Sequence, residues 1–102
     1  MSDLDQLQQR IKTWADARMP ARDIPGRIRK VGEEHGEFGE AVTRYLMDQT
    51  SANAVKAGLE AADIVLVLAD TLELMGLSLY TCLETKMKII ERRPVEVFQE
   101  FK

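Results

Sequence analysis

Apolar positions recur along this chain at helical spacing, and polar or turn-forming clusters divide them into four segments. Leu4, Leu7, Ile11 and Trp14 follow one another at steps of three, four and three, the stripe of an amphipathic helix. Ser2 or Asp3 can cap its start, and it must stop before Pro20, because a residue preceding proline resists helical geometry. Residues 19–26, MPARDIPG, then form a linker. Asp23 predicts the N-cap of a second helix with Pro25 in its first turn, running to Met47 or Asp48. Its stripe is Ile28, Val31, Phe38, Val42, Tyr45 and Leu46. A turn over residues 48–53, DQTSAN, precedes a third helix from about Ala54 to Met75, ended by Gly76. Ser78 caps a fourth, which reaches Arg92 or Arg93 before Pro94, with Leu79, Leu83, Met87 and Ile90 as its stripe. The pattern predicts an all-α fold of four helices in a single domain, with a short tail over 95–102 as an extra helix or an oligomer contact.

Charged residues interrupt this pattern in three places. Glu34 lies beside Val31 and Phe38 on the edge of the second helix's stripe, whereas Glu33 and Glu40 turn to solvent and Glu37 is one step further round. The third helix is apolar on almost every side from Ala61 to Leu72, so it is expected to be the central, most buried element. Asp63 and Asp70 nevertheless share one of its faces, with Glu60 nearby. On the fourth helix, Lys86 falls inside the apolar stripe with Arg93 close to it. Glu34-x-x-Glu37 and Glu60-x-x-Asp63 each place two carboxylates on one helix face, and two such helices packed together would gather four acids at one point. Such a gathering calls for a counter-charge, ordinarily a hard divalent cation with oxygen ligands. A solvated acidic face at the same spacing is the plainer alternative. Gly32, Gly36 and Gly39 among the acids point to a close approach by another backbone or a ligand, or simply to a looser helix.

Composition narrows the options. The chain has 102 residues, 45% of them hydrophobic and 30% charged, and a net charge of −3, so there is no basic field to hold nucleic acid. The longest apolar run is too short to span a bilayer, no signal segment is visible, and Cys82 has no partner for an internal disulfide; a cytoplasmic protein is the default expectation. His35 and Cys82 are in no zinc-ligand spacing, and neither acid pair reads Glu-x-x-His as a di-iron bundle would require. Trp14 reads as a core anchor; the functional alternative is a ring bordering a ligand pocket. Lys86 either snorkels to pair with an acid or clamps a phosphate.

Glu33-Glu34-x-x-Glu37 followed after 22 residues by Glu60-x-x-Asp63, with a tryptophan on the first helix, Lys30 just before the acids and basic residues on the last helix, resembles the MazG-like all-α NTP pyrophosphohydrolases over roughly residues 4–93. The resemblance implies a MazG-like four-helix bundle assembled as a homodimer or homotetramer, in which Mg²⁺, or alternatively Mn²⁺, supports hydrolysis of a (d)NTP to the (d)NMP and pyrophosphate. Carried over by position, Glu33, Glu34 and Glu37 would be catalytic, with Glu34, Glu37, Glu60 and Asp63 holding the metal. Lys86 and Arg93 or Arg92 would bind phosphate, and Trp14 and Phe38 the base. One departure is that the family's asparagine after the last-helix lysine is absent from the run Lys86-Met87-Lys88-Ile89-Ile90. Asp70 has no counterpart role. The competing expectations are a non-enzymatic helical oligomer whose acids form salt bridges, and a phosphoribosyl-ATP pyrophosphohydrolase-like enzyme.

Overall fold

Each helix begins where a side chain can satisfy its free N–H groups. In the computed structural model, which describes residues 1–93, the order is α1 (Asp3–Arg18), α2 (Ile24–Met47), α3 (Ser51–Leu74) and α4 (Leu79–Glu91). Ser2 caps α1 in a full capping box with Asp5; Asp23 caps α2, with Pro25 in its first turn. Thr50 caps α3 three residues earlier than the pattern alone suggested, and Ser78 caps α4. At the end of α3, Gly76 takes φ +75°, the Gly76 N–H donates to Glu73 O, and the Leu77 N–H donates to Leu72 O. This is the Schellman arrangement, which glycine accommodates without a Cβ clash. The fold is all-α, with no strand among the described residues, and none of the described helices is long and apolar enough to cross a membrane. The tail expected over 95–102 lies outside the described residues.

The dominant packing is between α2 and α3, joined by a three-residue turn into a helical hairpin. Residues equally far from that turn face one another: Glu37 meets Glu60, and Arg27 meets Asp70. α1 packs on α3, and α4 packs on α1. One hydrogen-bond junction ties the two ends together. Buried Gln8 donates to Glu73 Oε2 and Leu77 O, each at 2.8 Å, and accepts from the Leu79 N–H at 2.8 Å. All three partners lie at the α3–α4 corner, so α1 fixes where α4 starts.

The pattern overestimated the burial of α3. It packs against both α1 and α2, yet only Val67, Ala69, Asp70 and Thr71 are fully buried. Val55, Leu59, Val65, Leu66 and Leu68 remain exposed in the single chain, as do Leu83, Met87 and Ile89 on α4. The physical reason is coverage: two neighbours cannot enclose a helix that is apolar all round. Gly32, Gly36 and Gly39 have open space around them among the described residues, so no close approach within that part of the chain explains them.

Candidate active site

The α2–α3 hairpin brings acids from both helices to one place. Glu34, Glu37 and Glu60 each offer a carboxylate oxygen, and the three oxygens lie within 4.8 Å of one another. Glu34 is buried, with 8% of its side chain exposed, while Glu60 is 16% exposed and Glu37 faces solvent. Asp63, half-buried, is near this group but is not one of the three whose oxygens converge: burial raises its proton affinity above the usual carboxylate range, and the charges of Glu34 and Glu60 raise it further. The Glu37 carboxyl is also pushed up, first by the charge of Glu34 and then by desolvation. Mutual repulsion of this kind is the mark of acids gathered without enough positive charge.

Two lysines provide part of the counter-charge, each from one turn upstream on the same helix. Lys30 Nζ lies 3.2 Å from Glu34 Oε1 and 3.3 Å from Glu33 Oε2, and its pKa is raised chiefly by Glu34. Lys56 Nζ lies 3.5 Å from Glu60 Oε1. The second oxygens, Glu34 Oε2 and Glu60 Oε2, are buried and make no hydrogen bond among the described residues. A buried carboxylate oxygen without a partner costs about 1–3 kcal/mol or more. An all-oxygen donor set with two orphaned buried oxygens fits a hard divalent cation such as Mg²⁺ or Mn²⁺.

Beside the acids is a cleft of about 240 Å³ lined by Trp14, Met19, Arg27, Lys30, Glu34, Asp63, Leu66 and Val67. Trp14 is therefore not the core anchor that its stripe suggested: it is 54% exposed, at the cleft. Phe38 is half-buried and does not line this cleft. Glu33 is turned out, 65% exposed, as its position on the helix predicted. His35 is exposed and Cys82 half-buried.

Lys86 departs from expectation. It is exposed, and neither it nor Arg93 forms an ion pair with any acid among the described residues. Its stripe does not meet the acids because α4 packs on α1. The face shared by Asp63 and Asp70 is likewise divided between two environments. The Asp70 carboxylate accepts from Arg22 Nε at 3.0 and 2.7 Å, and the pair is almost wholly buried. Arg22 also donates to Asp16 Oδ1 at 2.9 Å and to Met19 O at 3.2 Å. Sequence reasoning passed over Arg22, Arg27 and Gln8. Arg27 was discoverable, since it stands seven residues before Glu34 just as Asp70 stands seven after Asp63, a matched spacing on antiparallel helices. The linker carrying Arg22 has no periodicity to read.

A dATP/dGTP diphosphohydrolase from Salmonella phage PMBT28 is 33% identical to this chain over 87 residues, 85% of the chain and 26% of the phage protein. The chain thus spans about a quarter of the length of that relative. No family model matches the chain, and no solved structure does.

Proposed function

We propose that this protein is a metal-dependent nucleoside triphosphate pyrophosphohydrolase of the MazG-like type, converting a (d)NTP to the (d)NMP and pyrophosphate. The observation that carries the reading is the pair of buried, unpartnered oxygens on Glu34 and Glu60 within a three-carboxylate cluster. The phage relative's name supports a nucleotide substrate, and dATP and dGTP head the list to be tried. Glu34, Glu37, Glu60 and Asp63 would hold Mg²⁺ or Mn²⁺. The bound cation supplies charge neutralisation at the phosphates and lowers the pKa of a coordinated water.

The chain's own residues do the rest. Lys30 holds the Glu34 carboxylate in an ion pair one turn along α2, so the side chain is fixed in place before substrate arrives. A carboxylate of the run Glu33, Glu34 and Glu37 takes the proton of the attacking water, and Glu33, solvent-facing and outside the cluster, is the least favourably placed of the three. The new bond forms between the water oxygen and the α-phosphorus, and the bond from that phosphorus to the bridging oxygen breaks, releasing pyrophosphate. Trp14 offers a ring face to the base at the cleft. A role for Phe38 in base binding requires a different face of the site.

The exposed apolar faces of α3 and α4 support assembly as a homodimer or homotetramer. In such an assembly Lys86 and Arg93 would reach phosphate from a neighbouring copy. Light scattering at micromolar concentration should show a dimer or larger, and a clean monomer counts against it.

Pyrophosphate-release assays over a panel of dNTPs and NTPs, with phosphoribosyl-ATP included, test the activity. Pyrophosphate release should require Mg²⁺ or Mn²⁺ and fall at least about a hundredfold in Glu37→Gln and Asp63→Asn. A panel without release under either metal ends the enzymatic reading. The lysine pairs on Glu34 and Glu60 favour the rival, a helical oligomer held by salt bridges. It predicts that metal leaves the melting temperature unchanged.

A further inference from the structure

Arg27 is the cation at the acid cleft whose donors are left over. It lines the same cleft as Lys30, Glu34, Asp63 and Trp14, on the same helix as Lys30 and Glu34. Its side chain is 15% exposed, its Nε is buried with no hydrogen-bond partner among the described residues, and its nearest acidic approach among them is Nη1 to Asp70 Oδ2 at 3.9 Å. Asp70 does not need it, because both of that carboxylate's oxygens already accept from Arg22. Arg22 is committed on every side, to Asp70, Asp16 and Met19 O. Arg27 therefore adds a positive charge beyond what Asp70 balances, and it holds a guanidinium with free donors at the wall of a cleft whose opposite end is acidic. A planar guanidinium with unengaged N–H groups matches the paired oxygens of a phosphate or a carboxylate. We infer that Arg27 binds the phosphate chain of the substrate, so that the phosphates lie between Arg27 and the Glu34–Glu60 carboxylates. This places a phosphate-binding cation on α2, within the chain that owns the acids, in addition to the basic residues of α4.

The assignment rests on the nucleotide-hydrolysis reading, but it is tested separately by binding. Titration calorimetry with inorganic tripolyphosphate in Mg²⁺ is compared for the wild-type chain, Arg27→Met and Arg27→Lys, with melting curves of each. Arg27→Met should weaken tripolyphosphate binding about tenfold or more, and raise KM for the hydrolysed nucleotide in step, with little change in melting temperature because Arg22 still holds Asp70. Arg27→Lys keeps the charge without the fork and should fall between the two. Tripolyphosphate affinity unchanged in Arg27→Met, or no binding by the wild-type chain, overturns the assignment. A wild-type chain that hydrolyses nucleotides while Arg27→Met binds normally refutes Arg27 alone. Weakened binding in Arg27→Met from a chain that hydrolyses nothing refutes the enzymatic reading alone.

Discussion

Two clusters of charge sit two turns apart on the same helical hairpin, and they are built oppositely. At one, Asp70 is buried but fully answered by Arg22, with Asp16 bound to the far side of the same guanidinium. At the other, Glu34, Glu37, Glu60 and Asp63 outnumber the nearby lysines and leave two buried oxygens unpaired. The first is a closed structural pair, joining the α1–α2 linker to α3 and so fixing how far α2 can slide along it. The second remains electrostatically unfinished, and it is the one that borders a cleft with an aromatic ring. Burying an acid is compatible with either role; only the count of partners tells them apart.

The sharpest way to break the comparison is to open the closed pair. Asp70→Asn leaves the buried Arg22 charge with half its answer, and should lower stability by about 3 kcal/mol or more, a fall of roughly 12 °C or more in Tm. Calorimetric melting checks this; a shift of only a few degrees would show that the pair is not structural. Metal is the next test, and it should act only on the other cluster. Mg²⁺ at about a hundred times its dissociation constant should stabilise the wild-type protein by about 2.7 kcal/mol, and Asp63→Asn should abolish most of that gain. In Asp70→Asn the gain should persist.

The smallest effect is that of pH. Glu37 and Asp63 have folded-state pKa values raised above their ordinary ones. Their contribution is thus fully present below the ordinary carboxylate range and is lost as pH rises through the raised values. Metal-free protein should therefore gain stability as pH falls from 7 toward the range just above ordinary carboxylates, and Glu37→Gln with Asp63→Asn should flatten the trend. Asp5 and Asp16, whose pKa values are lowered by their hydrogen bonds, act in the opposite sense, but only below the ordinary range. A rise in stability toward pH 7 in chelator would contradict the crowding of the acids.

What was legible in the sequence was everything set by neighbours a few positions away. Ser2, Asp23 and Ser78 bond the N–H groups of their own first turns, and Gly76 has the one φ that ends α3, so helix limits could be read almost residue by residue. The inward turn of Glu34 and outward turn of Glu33 followed from helical angle alone, and both hold. Tertiary structure decided the rest. Trp14 and Lys86 sit on apolar stripes, but a stripe says only that a face seeks a neighbour, not which neighbour comes; α1 and α4 pack on each other and leave both side chains exposed. Asp63 and Asp70 are equivalent by periodicity. They differ because Arg22, from a linker without periodicity, reaches one of them and not the other. Long-range pairing of charge is a property of the packed hairpin, and it is what separates the residue that holds the fold from the residues proposed to hold a metal.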